Sequence, residues 1–406
     1  MTRKRVQTLL AVGVLAVGGL VAMILGFVAF VMFTARPLHP NADEVPSETD
    51  AAPSTSWAAA VDESRRLIRA GITEQNLPGL SVAVGAGGGI VWAEGFGFSN
   101  LDDRTRVEPD TRFRIGGISM ALTSAAAGLL MEEDRLTVDS EIQTYVPAFP
   151  KKQWPVTLRQ LMGQTAGVRS DRGDEEPLSE RCGRTVDGLK RFADSPLRFE
   201  PGTEFRYSTY GWILASAAVE AAAGRPFFTF MRTAIFEPLD MDDTEPDVAS
   251  DPNPGRTMFY HPKMAGDPRY GPERSRDGDY SCFAGAGGFL STPSDLVRFG
   301  LAISSGKLLQ PATVELLQSP QRLASGEETG YALGWDVESV SLAGRSTRMA
   351  GHDGGFFLGG SASLMTFPDR GLVVAVTTNT AFADVAAIAL KVAGVFAQHA
   401  GSPPRR

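Results

Sequence analysis

The order of apolar and polar positions divides the chain into three stretches. From Leu9 to Phe33 there are 25 positions without a charged residue. As a helix this run spans roughly 38 Å, enough to cross a bilayer. Arg3, Lys4 and Arg5 precede it, so residues 1–5 are expected to stay in the cytoplasm. The run is long for the core of a cleavable signal peptide, and no A-x-A-like site follows it. Residues 6–35 are therefore read as a transmembrane signal anchor of a single-pass cell-membrane protein, with a cleaved signal peptide as the alternative. The globular part would be extracytoplasmic, periplasmic or extracellular. Residues 36–56 carry Pro37, Pro40, Pro46 and Pro53 among Asp, Glu, Ser and Thr. They hold too little apolar surface to fold and are expected to form a disordered, extended tether.

From residue 57 the pattern becomes that of a folded domain, expected to run to 402. Trp57 to Gln75 reads as an amphipathic helix. Leu80–Val84 and Ile90–Glu94 are β-rich runs separated by Gly85, Gly87, Gly88 and Gly89, a hairpin signature. Ile118, Leu122, Ala125, Ala126 and Leu129 recur at helical spacing, and the small residues among them predict a helix packed closely on all sides. Ser361–Phe367 and Gly371–Asn379 read as strands joined by Pro368-Asp369-Arg370, and Asp384–Ala397 as a closing helix. The N- and C-terminal parts would share one antiparallel sheet flanked by helices, an α/β (α+β) fold. Asp139 to about Ser281 is rich in loops and helices.

Composition narrows the function. The 406 residues are 43% apolar with net charge −8, and no basic run lies outside the termini, which argues against nucleic-acid binding. The two cysteines, Cys182 and Cys282, are expected to form one disulfide in an extracytoplasmic domain. Closing a loop of about 100 residues stabilises by up to ~4–5 kcal/mol on the chain-entropy model. The histidines His39, His261, His352 and His399 show no metal-ligand spacing, so no metal site and no cofactor are expected. Asp174-Glu175-Glu176 reads as a solvated loop.

Phe113-Arg114-Ile115-Gly116-Gly117-Ile118-Ser119-Met120 resembles the nucleophile helix F-R-I-G-S-x-x-K of the serine β-lactamase and penicillin-binding-protein superfamily. Tyr207-Ser208-Thr209 resembles its Y-x-N motif, and His352-Asp353-Gly354-Gly355 its K-T-G or H-x-G motif. Leu161–Val168 resembles L-L-x-H-T-S-G-I, and Gly287–Leu296 resembles G-G-x-x-S-T-x-x-D-L. The order of these phrases matches the class C-like, esterase-like branch. The resemblance implies a β-lactamase/transpeptidase-like fold, with a sheet lobe (57–117 and 283–402) and an inserted helical lobe (118–282).

Carried over position by position, the resemblance implies a cleft without its reactive groups. Gly117 stands at the nucleophile and Met120 at the Lys. Thr209 replaces an Asn that would position an amide substrate. Tyr207 and His352 remain, and the backbone N–H groups of Gly117 and Gly355 would hold an oxyanion. Asp353 would place a carboxylate where relatives bind a substrate's carboxylate, favouring neutral or cationic ligands, unless Arg348 pairs with it. The one literal S-x-x-K, Ser304-Ser305-Gly306-Lys307, reads as a solvated turn.

Three functions are therefore weighed. The chain is foremost a degenerate binding or regulatory pseudoenzyme of the cell envelope. Its partner would be a small neutral or cationic envelope ligand or a protein; the oligomeric state is left open. Alternatively it is a serine hydrolase (esterase, peptidase or lactamase) using Ser119, although Ser119 lies about 200° around a helix from the cleft position. The third is a non-covalent hydrolase in which Tyr207 or His352 activates a water, with Gly117 leaving room for it.

Overall fold

The computed structural model describes residues 3–34, 37–50, 52, 54–170, 181–248, 255–263, 267–355 and 359–400; the acidic run at 174–176 lies outside them. Helix α1 (Arg3–Thr34) covers the apolar N-terminal run, and its stretch Gly13–Phe30 is unburied. By length and composition it is able to cross a membrane, as a signal sequence or as an anchor.

The domain is built on one eight-stranded antiparallel sheet. Its strands are β1 (Ser47–Glu48), β2 (Gly79–Ala86), β3 (Gly89–Asn100), β4 (Thr105–Arg106), β5 (Asp336–Leu342), β6 (Arg345–Gly355), β7 (Ser361–Phe367) and β8 (Leu372–Thr378). Their order is β1-β3-β2-β8-β7-β6-β5, with β4 paired to β3. Every residue of β8 is buried, as its unbroken Leu-Val-Val-Ala-Val run requires of a strand covered on both faces.

Helices α2 (Ala58–Gln75) and α7 (Val385–His399) cover one face. On α2 the buried positions Val61, Ser64, Ile68 and Ile72 form a single stripe. The other face carries α5 (Pro293–Ser305), α6 (Pro311–Leu317), and the helical lobe with α3 (Ile118–Glu132) and α4 (Thr209–Ala223). Ser208 caps α4 through its hydroxyl, and Gly224 ends it at φ 65°. Cys182 and Cys282 are disulfide-bonded, with Cα atoms 4.9 Å apart; the bridge ties the segment at 181–182 to the turn Ser281–Ala286.

The expected free tether needs correcting. The Leu38 N–H donates to Asn76 Oδ1 at 2.7 Å. The His39 ring stacks on Phe98 at 5.8 Å, and Val45 is buried. Ser47 and Glu48 pair with Phe96 and Gly95 of β3. This stretch finds its partners at the edge of β3, whose backbone groups would otherwise stay unpaired. A composition poor in apolar residues gave no sign of that edge.

Candidate active site

The site is assembled where the start of α3 meets the end of β6. Phe113-Arg114 pairs with Phe289–Ser291, and the chain then turns through Gly116 at φ 48° into the helix. Arg114 fixes this entry. Its guanidinium is fully buried, 2.6 Å from Asp247, and lies 4.0 and 4.4 Å from the ring centroids of Phe259 and Tyr280. A Cβ on Gly354 would run into the Ile115 carbonyl, and one on Gly116 would lie 2.6 Å from Gly355 N. The backbones that carry the two expected oxyanion donors, Gly117 and Gly355, therefore lie side by side.

Gly117 begins α3. A Cβ there would lie 2.7 Å from the Asp353 carbonyl oxygen, 2.7 Å from His352 Cε1 and 2.9 Å from Tyr207 Oη. The space of a nucleophile's side chain is already filled.

Met120 is fully buried one turn on. Tyr207 Oη lies 3.3 Å from its sulfur, while Tyr331 Oη and Gln164 Nε2 each lie 3.8 Å away. A soft, uncharged acceptor thus sits where two donors, Tyr207 and Gln164, converge, with the Tyr331 oxygen alongside. Tyr207 is 41% exposed along its ring but turns its hydroxyl inward. Burial of that hydroxyl, with Asp336 adding to it, raises the phenol well above its ordinary value. It stays protonated at neutral pH.

His352 is held at both nitrogens. Nδ1 is 2.5 Å from the Asp353 carbonyl, which can only accept, so Nδ1 carries the proton. Nε2 then accepts from Tyr331 Oη at 3.0 Å. Burial lowers the His352 pKa, leaving the imidazole neutral. With one nitrogen protonated and the other engaged, it has no lone pair free to activate a water.

The remaining predicted residues fall elsewhere. Ser119 is buried, and among the described residues its hydroxyl has no hydrogen-bond partner. Thr123, one turn later on the same face, donates to the Ser119 carbonyl at 2.8 Å, and its hydroxyl lies 3.2 Å from the Gly285 carbonyl, so this face looks into the turn Ser281–Ala286. Thr209 is half-buried at the first turn of α4. Asp353 points away from the cleft: His352 faces α3, and the next strand residue faces the opposite side. Arg348 does not pair with it, since its guanidinium binds the Gln318 side chain and carbonyl at 3.3 and 3.0 Å. Ser304 and Ser305 end α5, their hydroxyls bonded to the Gly300 and Leu301 carbonyls.

Two residues at the centre escaped the sequence reading. Gln164 stands within the Leu161–Val168 phrase, at the place of its His, and that phrase was the available signal. Its Oε1 accepts the Ser208 N–H at 2.8 Å, which fixes the start of α4. Tyr331 lies in no motif.

Known proteins place this architecture. The Beta-lactamase family profile matches residues 64–395. The chain belongs to the Beta-lactamase family. It is 27% identical to the human "Serine beta-lactamase-like protein LACTB, mitochondrial", over 85% of this chain and 81% of that protein. It is 26% identical to "Penicillin-binding protein 4*" of Bacillus subtilis (strain 168), over 68% and 62% of the two. Among solved structures, EstCE1, "a hydrolase with promiscuous acyltransferase activity", superposes with a TM-score of 0.71 at 22% identity, covering 84% of this chain and 99% of that one. The D-amino acid amidase from Ochrobactrum anthropi SV3 gives 0.69 at 20%, covering 84% and 97%. This is a serine-hydrolase-like protein of the β-lactamase and penicillin-binding-protein superfamily, with the β-lactamase/transpeptidase-like fold.

Proposed function

We propose that this chain is a catalytically degenerate member of the family that uses its cleft or outer surface for recognition in the cell envelope. The observation that carries this reading is the crowding at Gly117: a carbonyl, an imidazole and a phenol occupy the space of the nucleophile's side chain, while a thioether replaces the base. Loss of a nucleophile from an acyl-transfer site lowers the rate by on the order of 10⁶. Met120 is uncharged and His352 neutral where relatives hold a cation, so the cleft floor offers nothing to draw in a carboxylate. A small neutral or cationic ligand, or a protein partner, fits this better than an acidic one. The apolar α1 and the disulfide favour the secretory pathway, with α1 acting as a single-pass anchor for an extracytoplasmic domain.

The test is covalent labelling. A fluorophosphonate and a fluorescent penicillin are expected to leave the purified chain unmodified while labelling an active relative. Stoichiometric adduct on any residue of the cleft overturns the proposal. Adduct lost in Ser119→Ala identifies the serine hydrolase instead.

A further inference from the structure

Strand β6 carries a second polar position on the face that presents His352. Arg348 lies four residues earlier, so it projects to the same side of the sheet, about 14 Å along the strand. There it borders a cavity of about 520 Å³ between the end of α5 and the length of α6. None of Gly117, Met120, Tyr207, Tyr331 and His352 lines this space, so it is separate from the cleft.

Arg348 is held from one side. Its Nη1 donates to Gln318 Oε1 at 3.3 Å and its Nη2 to the Gln318 carbonyl at 3.0 Å. Both acceptors are neutral, and among the described residues no carboxylate is paired with Arg348. A guanidinium has five N–H groups in a planar fork, so these two bonds leave donors over. Gln318 also lines the cavity and is only 3% exposed. A guanidinium can only donate, so the amide oxygen is the atom turned to Arg348 and the nitrogen is the atom left over. That nitrogen, Nε2, is buried with no hydrogen-bond partner among the described residues. A buried donor without an acceptor costs the fold free energy until a partner supplies one.

Glu315 stands one turn before Gln318 on α6. The two side chains therefore leave the same face of the helix, roughly 5–6 Å apart at Cβ. Glu315 borders the cavity too, and among the described residues no Lys or Arg is paired with it. Opposite charges thus share one space without bonding to each other. The Ser304 and Ser305 hydroxyls donate to the Gly300 and Leu301 carbonyls. Ile303, Val314, Pro311, Pro320 and Pro368 supply the apolar part of the wall.

The ligand chemistry follows from this set. Arg348 and Gln318 Nε2 call for an acceptor, and a carboxylate offers two oxygens to such a pair. A phosphate or a dicarboxylate would bring further negative charge beside Glu315. A simple amine would leave both donors unmet. An α-amino acid carries its ammonium next to its carboxylate, as Glu315 lies next to Gln318 on the helix. We propose that the cavity between α5, α6 and Arg348 binds a small aliphatic amino acid as its zwitterion. The carboxylate takes the Arg348 and Gln318 donors, the ammonium faces Glu315, and the side chain lies against Ile303, Val314 and the prolines. The site goes beyond the reading of the cleft and does not depend on it.

The test uses the full chain in nanodiscs of neutral lipid, titrated with leucine at neutral pH. Calorimetry is expected to show saturable binding at one site. Leucinamide lacks the carboxylate and 4-methylpentanoate lacks the ammonium. Leucinamide should bind at least about tenfold more weakly, and 4-methylpentanoate about fivefold more weakly. Arg348→Met should lower leucine affinity by at least about tenfold, and Glu315→Gln by about fivefold, since that carboxylate is exposed. In the unmutated protein the Gln318 side-chain amide resonances shift along the same isotherm, which keeps the test independent of variant folding. Absence of saturable leucine binding, equal binding of either analogue, or a Gln318 amide that does not move overturns the site. Its failure leaves the labelling result at Gly117 untouched, and the converse holds too.

Discussion

His352 and Asp353 are neighbours in β6, yet they lie in opposite environments. On the α3 side, His352 is bonded at both nitrogens, and the space beside it is filled by the groups around Gly117. On the α7 side, Asp353 borders two cavities that no Lys or Arg lines among the described residues. The strand imposes the same backbone constraint on both faces, so the difference comes from what each facing helix contributes. Helix α3 brings Met120 into the place of an ammonium and closes the gap. Helix α7 presents Ala386 and Ala387, too small to fill theirs. In this member of the family the Cβ position at Gly117 is crowded, while the other face of the same strand borders open cavities.

The largest expected effect comes from restoring the reactive groups. Gly117→Ser with Met120→Lys is expected to remain unlabelled by fluorophosphonate and idle on chromogenic lactams and short esters, on the order of 10⁶ below a working enzyme. A serine Cβ would need the Asp353 carbonyl to move. Recovered acyl-enzyme would show that only the two side chains were lost and that the front of β6 is not closed. Next, Arg114→Ala should destabilise the fold by about 1.5–3 kcal/mol in chemical denaturation, because it removes one of the two guanidinium partners of the buried Asp247 and leaves only Arg256, at 3.1 Å. A loss under about 1 kcal/mol would mean that the ion pair does not hold the entry to α3.

The two faces then predict opposite signs for one kind of substitution. Gly117→Ala should cost about 1–3 kcal/mol through overpacking. Gly394→Ala, in α7 with nothing within 4 Å of its Cβ position, should stabilise by roughly 0.5–1 kcal/mol. Equal signs would end the contrast. Tyr331→Phe leaves His352 Nε2 without its donor and should cost about 1 kcal/mol, with the imidazole nitrogen shifts moving in NMR spectra.

The smallest effect is a slope with pH. Asp336 has a folded pKa of about 6, raised from 3.8 mainly by burial. The fold therefore favours its protonated form, and the stability from that proton is fully present below 3.8 and is lost as pH rises to about 6. Asp336→Asn should flatten this part of the stability profile. An unchanged slope would place the titration elsewhere.

Much of this was legible in order. The hairpin Gly79–Ala86 and Gly89–Asn100 follows from two β-rich runs around glycines, and α3 from its small apolar repeat. The phrases around Phe113, Tyr207 and His352 named the cleft because they are local: each places one group at one turn of backbone. Tyr331 and Gln164 were not read as site residues because their roles exist only across contacts between distant segments. The direction of Asp353 was misjudged for a related reason. Facing in or out depends on where β6 sits between two helices, and its own residue type does not say.

The amino-acid order alone determined the family, the sheet with its helices, the apolar N-terminal run and the absence of a hydroxyl at Gly117 and of an amine at Met120, since each depends on short-range pattern or on residue identity. The tertiary structure decided that the Cβ position of the missing nucleophile is crowded, that residues 38–48 pack against β3 and the end of α2 instead of hanging free, and that carboxylates of two strands border one cavity. These are distances between segments far apart in the chain, set by packing around a shared core, and no local pattern encodes them.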